Sequence, residues 1–455
     1  MVNENEILKN ASVVTTNACK LCTPLGACIA MKGIENSMTL LHGSQGCATY
    51  IRRYLISHFR EPIDIASSNF TENATIFGGG LNLSTGLKNV TKQYHPTLIG
   101  VATTCLSETI GEDMETLVRN YRKEEMAENQ PYIIHMSTPS YKGTHMDGFH
   151  AVIRAAVGTL AKGGPPQKKV NILPGFVSPA DMRYLKEILQ DLRLEYVMLP
   201  DYSETLDGPT WDDYQKIPGG GTAVAAIQTM GCSQATIEFG RTLDAESTAG
   251  VILRERFKTL RFLLGMPIGV RETDLFFELL KTFTGMPIPR KYELERGRLL
   301  DSYIDGHKYV FEKKAVVYGE EDLVVGMASF LAEIGIIPVL CASGGTSGRL
   351  AKAIDEVAPE LKDKITVRQG VDFMEIAAEA EKLGADLLIG SSKGYQNARK
   401  LSVPLVRIGF PIHDRIGGQR ILHLGYRGAQ QLFDQIVNTL LASRQDSSSV
   451  GYSYM

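Results

Sequence analysis

"KVNILPGFVSPADMRYLKEILQDLRLEYVMLP" spans residues 169–200 and decides the fold class. It opens on an apolar run, KVNILPGF (169–176), and closes on another, EYVMLP (195–200). Neither run alternates; both are nearly continuously apolar, the pattern of strands covered on both faces. Between them Ser178 reads as a helix N-cap, Pro179 as the first helical residue, and Asp181 falls in the first turn. Leu185, Leu189 and Leu192 then recur at helical spacing. Strand, helix, strand in roughly thirty residues is a βαβ unit.

The same grammar extends in both directions. Strand-like runs precede it at TLIGVATTC (97–105) and YIIHMSTPS (132–140), and follow it at AVVYG (315–319), IIPVLCAS (336–343), DLLIGSS (386–392) and PLVRIGFP (404–411). Helical stretches DLVVGMASFLAEIG and DFMEIAAEAEKLG each stop at a glycine. Such alternation means α/β, with parallel sheets flanked by helices. At ~150 residues per domain, 455 residues suggest about three. The break AKGGPPQKK (161–169) and a long helical connection at 286–314 set the boundaries: Rossmann-like domains over 1–165, 166–310 and 311–455. The tail SRQDSSSVGYSYM reads as polar and extended.

The chain is 44% hydrophobic and 22% charged with a net charge of −3, which points to neither nucleic acid nor an anionic membrane. No apolar run approaches the ~20 residues of a membrane span. The first residues lack the basic and apolar regions of a signal peptide, so the expected location is the cytoplasm.

Seven cysteines in a reducing compartment do not suggest a disulfide frame, and five of them precede residue 106. Cys47 sits in GSQGC, where glycines let backbone N–H groups approach a sulfur. Cys22 sits in KLCTPLGA and Cys105 in TTCLSETIG, at a strand end. Separated by 25 and 58 residues, the three meet only through the fold. Thiolates so placed suit an iron–sulfur cluster. Plain packing is the competing reading, since free cysteine is commonly buried and inert. CKLC (19–22) alone is a weak zinc or redox motif. Cys28, Cys232 and Cys341 read as core or near-core packing, and His413 and His423 as structural or surface residues. GGTSGR (344–349) reads as a tight strand-to-helix turn rather than an anion site. No GxxxxGK[ST] phosphate loop is present. Arg52, Arg53, His58 and Arg60 follow Cys47 on a predicted helix; one arginine is expected to face the cluster or a carboxylate beside it, and the others to form a solvated face.

HGSQGCATYIRRYLISHFREP, SSNFTENATIFGGG, ATTCLSETIGED, STPSYKGTH and VRIGFPIHDR occur in that order, and together resemble the nitrogenase component 1 superfamily, specifically its beta-type chains. The resemblance runs from about residue 19 to about 440. It implies three Rossmann-like domains, pairing with a homologous alpha-like subunit, and two such pairs in a heterotetramer. It also implies a transient contact with an ATP-hydrolysing iron protein. Through the motifs C-x-P-x-G, GSQGC and TTC it assigns Cys22, Cys47 and Cys105 to an interface iron–sulfur cluster, either [4Fe-4S] or the [8Fe-7S] P-cluster type. Through TPS it adds Ser140 as a further ligand. The iron–molybdenum cofactor, or its precursor, would belong to the partner chain. Two readings compete within the superfamily. GFPIHDRIGGQRILHLGYRG and CKLCTPLGA are more similar to the beta-like subunit of the iron–molybdenum cofactor assembly scaffold, which is the reading taken. Cys22, Cys47 and Cys105 retained together are a trait of catalytic beta subunits, which is the alternative. A metal-free nucleotide- or sugar-binding Rossmann protein is the third.

Overall fold

The computed structural model describes residues 17–124 and 130–450. It contains three sheets flanked by helices, and every pairing with an assigned register is parallel. The first holds β1 (Ser37–His42), β2 (Ala66–Ser67), β3 (Leu98–Thr103) and β4 (Tyr132–Met136), in the order β2-β1-β3-β4. The second holds β5 (Gln167–Leu173), β6 (Glu195–Met198), β7 (Ser233–Phe239) and β8 (Leu260–Leu264), in the order β6-β5-β7-β8. The third holds β9 (Lys314–Tyr318), β10 (Ile337–Ser343), β11 (Thr366–Gln369), β12 (Leu387–Gly390) and β13 (Leu405–Arg407), in the order β11-β10-β9-β12-β13. The α/β expectation with three parallel sheets therefore holds.

The chain divides into two compact units. One takes in Leu21–Phe239 and Asp244–Leu263, and so carries the first two sheets. The other takes in residues 17–20, Gly240–Leu243 and residues 264–450. In the first unit β1 and β3 are buried along their whole length, and Met38, Leu40, Ile99 and Val101 pack against Leu83, Leu87 and Val90 of the helix Gly80–Tyr94. In the second unit Val316, Leu340 and Leu388 pack against Phe373, Ile376 and Ala380 of the helix Phe373–Leu383.

Ser178 caps the helix Pro179–Asp191 and forms a reciprocal capping box with Asp181, as its sequence predicts. The tail departs from expectation: residues 443–447 finish the helix Gly425–Ser447 instead of running extended. Residues 451–455 and the N-terminal stretch lie outside the described residues. Among the described residues no helix is long and apolar enough to cross a membrane.

The helix Thr23–Lys32 is buried at every position. It runs against the helix His145–Leu160 with backbone nearly on backbone. A Cβ on Gly26 would overlap the His145 carbonyl, and one on Gly148 would overlap the Thr23 carbonyl. Only glycine permits that approach. It fixes the position of Cys22, the N-cap residue of the buried helix.

Candidate functional site

The carboxyl ends of β1, β3 and β4, neighbours in one parallel sheet, lead directly into the segments that carry Cys47, Cys105 and Ser140. This is the edge where open α/β sheets place their chemistry. After β1 the chain turns through Gly43 and Ser44, and Cys47 lies in the first turn of the helix Gln45–Phe59, whose N-cap is Ser44. A Cβ on Gly43 would overlap the Thr104 hydroxyl, so the glycine allows the two strand ends to close on each other. After β3, Thr104 caps the short helix Cys105–Thr109, and Cys105 is its first residue. Beyond β4 the backbone N–H of Ser140 donates to Cys105 Sγ at 3.2 Å. The same loop holds Cys22: the Thr23 hydroxyl donates to the Pro139 carbonyl at 3.4 Å, and the His145 N–H to the Leu21 carbonyl at 3.0 Å.

Two of the thiols act electrostatically on the third. Burial pushes the Cys47 thiol above its ordinary value, and the neighbouring Cys22 and Cys105 push it further in the same direction. Tyr50, one turn along the Cys47 helix, is raised by burial and by Cys22 as well. Cys22 is exposed, Cys47 and Cys105 are half-buried, and all seven cysteines are free. Three thiolates at one rim repel one another, and a soft cationic metal centre relieves that repulsion while taking them as ligands. Among the described residues no three His, Cys, Asp or Glu side chains converge so as to hold a single ion. The donor chemistry and the N–H at Cys105 Sγ suit a thiolate-bound metal group.

The remaining cysteines behave differently. Burial pushes Cys28 and Cys341 up to about 12, which makes them inert packing. Cys232 is only half-buried, so it belongs to a rim rather than the core. Cys19 is raised to about 12 by burial and then by Glu320; its backbone is held by Val371 and Gly344. The GGTSGR turn follows β10, and the Glu321 carboxylate accepts from the Ser347 N–H at 3.2 Å and from Gln369 Nε2 at 2.6 Å. An internal acid thus satisfies that turn, in keeping with the structural reading.

Two of the arginines on the Cys47 helix have places of their own. Arg52 pairs with Asp64 at 3.1 Å and stays 53% exposed. Arg60 ends the helix in the left-handed region, φ 63°. Thirteen residues of helical rise put it roughly 20 Å beyond Cys47. The neighbours that act on Cys47 are thiols, not guanidinium groups.

Sequence reasoning missed a pair. His42, the last residue of β1, is wholly buried, and its Nε2 lies 2.9 Å from Glu112 Oε2. Its Nδ1 lies 3.1 Å from Ser68 Oγ. Burial lowers the His42 pKa, with Glu112 opposing. A histidine at a strand end directly before the glycine turn was the available signal.

Parallel α/β sheets with three free thiols at the strand-end edge of one of them define a Rossmann-like α/β protein with a sulfur-lined site. The particular family follows from comparison: residues 22–441 match the model of the nitrogenase component 1 type oxidoreductases, and the chain belongs to that family. It is 38% identical over 431 residues to a nitrogenase molybdenum-iron protein beta chain of Clostridium pasteurianum, covering 93% of each chain. To the corresponding beta chain of Methanococcus maripaludis it is 36% identical, covering 97% of each. A vanadium-iron protein beta chain of Trichormus variabilis is 34% identical, with 93% of each covered. Among solved structures, nitrogenase Cp1 at pH 6.5 superposes with a TM-score of 0.92 at 36% identity, covering 96% of each chain. The chain is thus a beta-chain-type homologue within the family.

Proposed function

We propose that this chain is the beta subunit of a catalytic nitrogenase component 1. In this role Cys22, Cys47 and Cys105 hold one half of an iron–sulfur cluster at the interface with a homologous alpha-like subunit. The observation that carries the proposal is the single rim on which three free thiols sit, two of them acting on Cys47, with an N–H donor already placed on one sulfur. When bound, the cluster supplies electron transfer. The chain's own residues supply thiolates, backbone donors and a positioned scaffold. Ser140 stands beside Cys105 and can add its hydroxyl as a further ligand. The iron–molybdenum or related cofactor belongs to the partner chain. Two alpha–beta pairs form the heterotetramer, and an ATP-hydrolysing iron protein delivers electrons in the cytoplasm.

Large exposed apolar side chains support a partnered surface. Phe77 and Leu81, on either side of the turn at 78–80, are 84% and 85% exposed, and Ile76 adjoins them. Tyr50 and Tyr141 are exposed on segments that carry Cys47 and Ser140. Exposed apolar groups of this size mark contact with another protein.

The scaffold reading has less support. The similar chains carry the name of molybdenum- and vanadium-iron protein beta chains, and all three rim cysteines are retained together. The test is to purify the chain with its alpha-like partner and add the iron protein, ATP and a reductant. Ammonia from dinitrogen supports the catalytic subunit. A complex that forms no ammonia, but releases a cofactor able to activate a cofactor-free nitrogenase, supports the scaffold instead. A colourless, iron-free complex sinks both.

A further inference from the structure

His42 is where the two thiol-bearing strand ends are tied together. Its carbonyl accepts from the Thr104 N–H at 3.1 Å, the Thr104 hydroxyl at 3.2 Å and the Ser107 hydroxyl at 2.8 Å. These bonds fix the first turn of the Cys105 helix to the end of β1. Five residues later the same strand exit delivers Cys47. The imidazole side chain is held as firmly as the carbonyl. The Gly43 N–H donates to Ser68 Oγ at 2.9 Å, which leaves the Ser68 hydroxyl hydrogen for His42 Nδ1. Nε2 then carries the ring proton and donates to Glu112. The other Glu112 oxygen accepts the Gly79 N–H, at the start of the helix Gly80–Tyr94. The Phe70 ring stands edge-on to the imidazole, centroids 4.8 Å apart, and fills the space a side chain at Gly79 would need. The Glu112 side chain is 6% exposed. Every polar atom of this group has a partner, and neither His42 nor Glu112 is placed among the ligands.

We infer that Glu112 and His42 are positioning residues for the metal centre: the pair sets the separation of Cys47 and Cys105 by locking the ends of β1 and β3 to each other and to the Gly79 turn. The inference rests on the proposed cluster site. Its physical basis is general. Groups that hydrogen-bond behind a ligand set its orientation, and their loss changes both metal retention and the electronic structure of the centre. Removing Glu112 leaves a buried imidazole N–H and the Gly79 N–H without an acceptor, and the strand ends must shift to satisfy them.

The test uses the purified complex with its partner and reads the cluster's electron paramagnetic resonance spectrum and the rate of iron loss to a chelator. Glu112→Ala should change the line shape and speed iron loss about tenfold or more, within the range seen when such supporting partners are removed. Glu112→Gln should restore the parent spectrum and rate. Its amide oxygen accepts from Gly79, and its amide nitrogen bonds the other imidazole tautomer. Parent-like behaviour in Glu112→Ala overturns the inference, as does equal damage in both variants. If Glu112→Ala does not assemble, two substitutions at the partner residue decide. His42→Gln keeps a nitrogen within reach of Glu112 and should match the parent; His42→Asn does not and should not match. Equal spectra in those two overturn it. Iron in the parent complex is measured first, so an iron-free parent sinks the cluster reading itself and is not mistaken for failure of the positioning pair.

Discussion

The seven thiols divide by environment, and that division is directly measurable. Cys22 is exposed, Cys47 and Cys105 are half-buried, and Cys28 and Cys341 are buried with their thiols pushed up to about 12. Since the thiolate is the nucleophile, brief alkylation of the metal-free folded chain at neutral pH should label Cys22 first. Cys47 and Cys105 should follow, and Cys28 and Cys341 should stay unmodified. Mass spectrometry of the peptides checks the order; modification of Cys28 at the rate of Cys22 would refute it. A second residue-scale prediction concerns Asp322. Burial raises its pKa to about 6, although it accepts the Thr242 N–H at 2.8 Å. The folded chain therefore holds this proton more tightly than the unfolded one, and the group's contribution to stability falls as pH rises from about 4 through 6. A shift of this size corresponds to about 2–3 kcal/mol at neutral pH. Asp322→Asn keeps an oxygen for Thr242 and removes the titration. Its Tm, relative to the parent, should climb between pH 4 and 7 and change no further above that; a constant difference across the range would contradict the assignment. The thiol sites were legible because glycine, proline and strand-end context surround each of them locally. The His42–Glu112 pair was not, because its members lie 70 residues apart and nothing local to His42 names Glu112 as its partner.

Elements with strong local signals appear where the sequence puts them. The helix Pro179–Asp191 has its serine cap, proline start and leucine spacing, and β3, β10 and β12 are nearly continuous apolar runs. Others were hidden. β1, SMTLLH, mixes polar residues into a strand that is buried throughout, so tertiary burial overrides its local pattern. β2 has two residues, too few for any periodicity. The helix after Cys47 was legible, but the direction of its arginines was not, since Asp64, the partner that turns Arg52, lies beyond the helix end. Backbone contact between the helices Thr23–Lys32 and His145–Leu160 was likewise invisible, because a glycine in a helical run says nothing about what approaches it. That contact carries its own prediction. Gly26→Ala places a methyl group on the His145 carbonyl, and the helices must separate. Overpacking of this kind costs about 1–3 kcal/mol or more. The Tm should fall, and iron retention should fall with it, because Cys22 caps the displaced helix. Gly297→Ala, in the helix Arg290–Val310, meets nothing within 4 Å and serves as the control: it should raise the Tm slightly and leave iron retention unchanged.

At the scale of the molecule, three parallel sheets were legible because α/β alternation repeats along the chain; its division into two compact units was not, because segments distant in sequence, such as Gly240–Leu243, join a unit formed mainly by later residues. The surface makes the last prediction. Ile76, Phe77 and Leu81 are large, apolar and almost fully exposed on consecutive turns around 78–80, and Tyr50 and Tyr141 are exposed on the segments bearing Cys47 and Ser140. Exposed to water, each side chain forgoes the ~1.5–3 kcal/mol that burial of a large apolar group supplies. Subunits of obligate assemblies commonly lack a well-behaved isolated form. Expressed alone, the chain should therefore self-associate in sedimentation, and co-expression with an alpha-like subunit should give one defined species. Changing Phe77 and Leu81 together to serine should reduce self-association of the lone chain without lowering its Tm, because neither side chain contributes to the core. A lone parent chain that sediments as a single monomer at micromolar concentration would show that this surface needs no cover, and the partnered reading of the thiol rim would lose its structural support.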